Sequence, residues 1–121
     1  MAKNFRQTLN AEDKAELKKL LTALESFREL RPTMPLQYIV TYLLVALDEG
    51  DGPSDYAKRA GVSNSVMSRH LLDIGERDRY GEDGFGLITQ RQDPMELRRH
   101  QAMLSDRGKG LAHKLIRALR K

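Results

Sequence analysis

Within six residues of one another, Asn64, Ser65, Ser68 and Arg69 place a carboxamide, two hydroxyls and a guanidinium close together. With about 3.6 residues per helical turn, these positions fall mostly on one side of a helix. Met67, Leu71 and Ile74, at i, i+4 and i+7, share the other. A polar set of this kind suits the edges and backbone of a nucleic acid. A guanidinium donates two parallel hydrogen bonds to guanine, a carboxamide matches adenine, and short hydroxyls more often meet phosphate oxygens. Two other roles compete for Arg69: a phosphate contact, or an intrahelical pair with Asp73 at i+4. Ser63 serves equally well as a helix cap.

Other chemistry finds little support. The chain has no cysteine, so disulfides, thiolate metal sites and thiol redox sensing are excluded. His70, His100 and His113 fall in three separate segments without the spacing of metal ligands. Gly81, Gly84 and Gly86 sit in a polar loop rather than before a helix, so no phosphate-cradling loop is formed. No nucleophile is spaced beside a base. The expectation is a protein that is not an enzyme and needs no metal or cofactor.

The elements that would carry the polar set lie in Gly52–Ile74. Pro53 fits a first helical position and Asp55 puts negative charge in the first turn. Ala57 stands four residues before Gly61, a glycine suited to a tight turn, and Val62 fills the corner. Ser63 then caps the next helix. This is the pattern of a helix-turn-helix. From its first helix, Lys58 and Arg59 face phosphates or solvent.

Around it, Asn10 caps an amphipathic helix over 11–31, striped with Leu17, Leu20, Leu21, Leu24 and Phe27. That helix packs on its own domain or on a partner chain. Thr33 or Met34 begins the next, with Pro35 near its first position; it is the most apolar segment and the candidate central core helix. Residues 75–84 read as a loop, 85–92 and 98–104 as two strands around a turn at 93–96, and 105–121 as a last helix capped by Ser105. The fold class is mainly α with a small β-hairpin (α+β): one winged helix-turn-helix domain over 1–121, with a core at 34–104 flanked by an N-terminal and a C-terminal helix. Arg91, Arg98 and Arg99 on the hairpin become candidate phosphate contacts.

The net charge of +4 is uneven. Residues 32–84 hold five Lys/Arg against nine Asp/Glu, whereas 85–121 hold nine against three. Attraction for a polyanion must therefore draw on the hairpin and the last helix. No apolar run approaches the ~18 residues of a membrane span, and the N-terminus lacks the apolar core of a signal peptide. A cytoplasmic protein, on the nucleoid when bound to DNA, is the expectation.

Taken in order, these stretches resemble the MarR family of winged-helix regulators over about residues 34–115. Met34–Leu47 is similar to the family's helix before the helix-turn-helix. Tyr56–Ser63 with Val66–Arg69 resembles its Leu-Ala-x-x-Leu-Gly-Leu-Ser and Val-Ser-Arg. Residues 93–98, Asp-Pro-Met-Glu-Leu-Arg, resemble its wing motif Asp-x-Arg-Asp-x-Arg, and Leu104–Lys109 its Leu-Thr-x-x-Gly-Lys/Arg. Met95 departs from the wing-tip Arg, Glu96 replaces Asp, the 75–84 loop is longer, and one helix rather than more follows the wing. The resemblance implies a transcription regulator that binds double-stranded DNA as a homodimer, with Arg98 as the wing arginine, bracing the hairpin through Asp93 or pointing to DNA. Dimerisation would rest on Leu17, Leu20, Leu21, Leu24 and Phe27 together with Leu115 and Leu119. It also implies room for an unidentified small-molecule effector between the dimer helices. The alternative is a winged-helix module that binds another regulator or RNA polymerase, since fold alone does not choose.

Overall fold

The computed structural model describes residues 6–78, 80–96 and 99–121. Arg98, and with it the expected brace to Asp93, lies outside the described residues. The elements run α1 (Ala11–Arg28), α2 (Leu36–Leu47), α3 (Pro53–Ala60), α4 (Asn64–Asp73), β1 (Ile88–Gln92), β2 (His100–Leu104) and α5 (Asp106–Arg120). Among the described residues, five helices and one antiparallel hairpin form the mainly α winged-helix arrangement.

Local chemistry sets most helix ends. Asn10 Oδ1 accepts the Asp13 N–H at 2.8 Å, Ser63 Oγ that of Val66 at 3.2 Å, and Ser105 Oγ that of Gly108 at 3.0 Å. Each satisfies a donor with no partner inside the helix. Pro53 opens α3, and Asp55 reaches back to the Gly52 N–H at 3.0 Å. Gly61 ends α3 at φ +71°, a left-handed conformation that side chains disfavour, and so makes the sharp turn into α4. α2 begins later than its sequence suggests. Leu36 is its first residue and Pro35 its cap, with an extended ψ of 140°.

The core joins the helix-turn-helix to the hairpin. Tyr42, Tyr56, Met67, Leu71, Ile74, Leu87 and Ile88 are all fully buried. Large apolar side chains of this kind contribute about 1.5–3 kcal/mol each. Two buried tyrosines bind distant parts together. Tyr42 Oη donates to the Gly108 carbonyl at 2.6 Å, tying α2 to α5, and Tyr56 Oη donates to the Asp48 carbonyl, tying α3 to the end of α2. A Cβ on Gly108 would stand 2.0 Å from the Leu87 carbonyl oxygen, so only glycine lets α5 start against the strand. Phe27 of α1 meets Tyr42 edge-on, with ring centroids 5.7 Å apart.

The hairpin is shorter than its composition suggests. β1 begins at Ile88 because 84–87 are engaged elsewhere: the N–H groups of Phe85, Gly86 and Leu87 donate to the carbonyls of Asp73, Gly75 and Ile74. β1 and β2 pair from Ile88 with Leu104 to Gln92 with His100. On the other edge of β2, Gly50 N donates to Ala102 O, and Ala102 N to Asp51 O, so the α2–α3 connection is stitched to the wing. The 75–84 segment is not plain loop either. It folds on itself through an antiparallel bridge between Arg77 and Asp83, and Asp78 Oδ1 accepts the N–H groups of Tyr80 and Glu82.

α2 is less central than its apolarity implies. It buries Thr41, Tyr42 and Val45, while Leu36, Val40, Leu43 and Leu47 stay exposed on its far side. α1 packs along α5 within the same chain, helped by an ion pair from Lys114 to Glu29. Among the described residues, no helix is long and apolar enough to cross a membrane.

Candidate nucleic-acid interface

The polar face of α4 is open. Ser63, Asn64, Ser65 and Arg69 are exposed, and Ser68 is half-buried. Ser63 Oγ, occupied as the cap, also lies 3.2 Å from Ser65 Oγ, so its role in this structure is structural. Arg69 makes no hydrogen bond or ion pair among the described residues. The expected competitor for it has turned away. Asp73 is 8% exposed and its Oδ2 accepts a 2.6 Å hydrogen bond from Tyr38 Oη. Tyr38 also meets the half-buried His70 edge-on at 5.3 Å. His70, His100 and His113 lie apart, on α4, β2 and α5.

The basic candidates divide into held and free. Lys58 is exposed without an ion pair among the described residues. Arg59, one residue on, is paired with Asp48 and so belongs to the joint between α2 and α3. Arg91 leans across the hairpin, Nε donating to Gln101 Oε1 at 3.4 Å, and remains exposed. Arg99 reaches back from the wing to Asp55 Oδ2 at 3.4 Å. The two helices and the wing thereby enclose a notch of about 440 Å³, lined by Ser54, Asp55, Asn64, Ser68, Glu96, Arg99 and His100. Asp55, Glu96 and His100 carry no site role in the sequence reading. Asp55 reads locally as a helix-start acid, and its partner is 44 residues away. Met95 stands 93% exposed near the wing tip.

A second surface is apolar. Leu17, Leu20, Leu21 and Leu24 are exposed along α1, as is Leu119 on α5. Phe27 and Leu115, expected with them at a dimer contact, are instead 3% and 6% exposed in the monomer core. Phe27 is packed edge-on against Tyr42 of α2, so neither side chain lies on the exposed stripe. Beside them runs a groove of about 380 Å³ between α2 and α5, walled by Leu43, Ala46, Leu47, Ala112, Ile116 and Leu119. Burial pushes the phenols of Tyr42 and Tyr56 up to about 12; at Tyr56 the nearby carboxylates of Asp51, Asp48 and Asp55 add to the rise.

No family model matches the sequence, and no curated protein matches it. Solved structures do. The transcriptional regulator Tm0710 from Thermotoga maritima superposes with a TM-score of 0.64 at 15% identity, over 89% of this chain and 66% of that one. A MarR transcriptional regulator from Methanosarcina mazei Go1 gives 0.62 at 9% identity, over 91% and 72%. The chain has a MarR-like winged-helix fold. The transcriptional repressor CouR, solved on a 23-mer DNA duplex, shares that fold at a TM-score of 0.55 and 20% identity, over 92% of this chain and 71% of CouR. In that fold α3 and α4 form the helix-turn-helix and β1–β2 the wing.

Proposed function

We propose that the chain is a transcriptional regulator that binds double-stranded DNA sequence-specifically as a homodimer. The observation that carries this reading is the exposed face of α4, where Asn64, Ser65 and an unpaired Arg69 project beside a basic hairpin. On this reading α4 enters the major groove, with Arg69 bidentate to guanine and Asn64 toward adenine. Ser65, Ser68, Lys58 and Arg91 contact phosphates, and the wing follows the backbone toward the minor groove. Arg98 joins them as the wing arginine. The CouR–DNA structure supports DNA binding through the shared fold.

The exposed leucines of α1 and Leu119 support a second copy packing there, because an apolar surface of this extent is costly in water. The groove between α2 and α5 borders that surface and is the place for a small apolar effector. The setting is the cytoplasm, on the nucleoid when DNA is bound.

Selection of bound duplexes from a random DNA pool tests the reading. The expected product is a two-fold symmetric consensus with half-sites one helical turn apart, or a multiple of it. Recovery of no consensus, with weak binding to all duplexes, would favour a module that binds another regulator or RNA polymerase.

A further inference from the structure

The notch between α3, α4 and the wing holds a cation beside Asn64 and Ser68 of α4, and that cation is already engaged. Arg99 meets Asp55 through one contact at 3.4 Å, long for a charged hydrogen bond. Both side chains are nearly half exposed, at 47% and 43%, so water screens the pair. A phosphate offers the same guanidinium two parallel bonds and stronger charge. Asp55 Oδ2 keeps a separate job whichever way Arg99 turns: it accepts the Gly52 N–H at 3.0 Å and so caps α3.

We propose that Asp55 is a positioning residue that holds Arg99 in the free protein and releases it to a DNA phosphate on binding. The inference rests on the DNA-binding reading above and adds to it a residue that sets affinity for all sequences. With Asp55 and Glu96 beside Arg99 the notch is net negative and repels a phosphate, so the two meet only when the guanidinium swings out from Asp55. The pair thus lowers affinity without touching a base. It also holds the wing at α3, together with the strand contacts of Gly50 and Asp51 to Ala102.

The experiment is a salt titration of duplex binding by wild type, Asp55→Asn, Asp55→Glu and Arg99→Ala, on a selected duplex and a scrambled one. Asn retains an oxygen for the Gly52 N–H, so Asp55→Asn removes charge and leaves the cap; circular dichroism melting confirms that it folds. Asp55→Asn should bind both duplexes about two- to five-fold more tightly. Its slope of log K against log salt should match wild type, because Arg99 reaches the phosphate in both. Arg99→Ala should lower the slope by about 0.9, the loss of one neutralised phosphate. Asp55→Glu, keeping the charge, should bind no more tightly than wild type. A rise in slope of about 0.9 for Asp55→Asn would mean that Arg99 stays on Asp55 in the wild-type complex, and would overturn the proposal. So would an unchanged slope for Arg99→Ala, or weaker binding by a folded Asp55→Asn. Wild type that binds no duplex at any salt would instead sink the DNA reading, and the proposal with it.

Discussion

On α4, Asn64, Ser65 and Arg69 stand in water with nothing to lose, since exposed polar groups are solvated as they are. Along α1, α2 and α5, Leu17, Leu20, Leu21, Leu36, Leu47 and Leu119 are just as exposed, and there the exposure carries a cost in every copy of the free chain. Apolar area left in water costs roughly 25 cal/mol per Å². The difference teaches what each surface requires. The apolar one favours cover, and on the proposed reading a second copy provides it. The polar one demands nothing, so its chemistry is available for recognition. Between them lies a shared core, in which Tyr42 secures the apolar side and Tyr56 the polar side.

The comparison breaks most severely if the apolar surface needs no partner. Leu17→Glu with Leu21→Glu places charge on exposed positions that no monomer contact requires. Sedimentation of wild type at micromolar concentration should give a dimer. The double variant should be monomeric, with self-association weakened by on the order of 10³-fold, and should melt as a folded chain. A wild-type monomer would leave the leucines unexplained and undercut a two-fold symmetric site.

A smaller effect concerns the core that both surfaces share. Tyr42 and Tyr56 have phenols raised from 10.0 to about 12. The unfolded chain therefore loses these protons first. The stabilisation they give is complete below about pH 10 and is lost as pH rises toward 12. At about 1.36 kcal/mol per pK unit, each tyrosine accounts for roughly 2–3 kcal/mol over that window. Thermal melts from pH 9 to 12 should show a falling Tm, with Tyr42→Phe less stable at neutral pH but less steep above 10. A flat profile would show that these hydroxyls titrate normally.

On the polar side, Arg69→Ala should weaken specific binding by about 1–3 kcal/mol and relax preference at one base position. Equal loss on every duplex would assign Arg69 to phosphate instead. The smallest effect belongs to the wing. Arg91→Ala with Arg99→Ala should reduce the salt slope by up to ~2 and weaken all sequences alike. An unchanged slope would take the hairpin off the DNA.

How much of this was legible in the sequence depends on the range of the interaction that decides each feature. Helix starts at Asn10, Ser63 and Ser105 read directly, because a cap acts within three residues. The face of α4 read correctly because periodicity is local. What escaped was set at a distance. The strand start at Ile88 depends on 85–87 bonding to the end of α4, and the site of Arg99 depends on Asp55 in another element. The leucine stripe of α1 gave one phase, but nothing in it separates Phe27, inserted against Tyr42, from Leu21, left in water. Periodicity names a face and not what covers it. Arg59 reads as a free cation until the fold brings Asp48 to it.

The measurement that bears most directly on the central claim is the equilibrium affinity of the wild-type protein for a selected duplex and a scrambled one, across a salt series. The account predicts at least about 10³-fold preference for the selected duplex at physiological salt, with affinity for both falling steeply as salt rises. Equal affinity for the two duplexes, or binding that ignores salt, would contradict it.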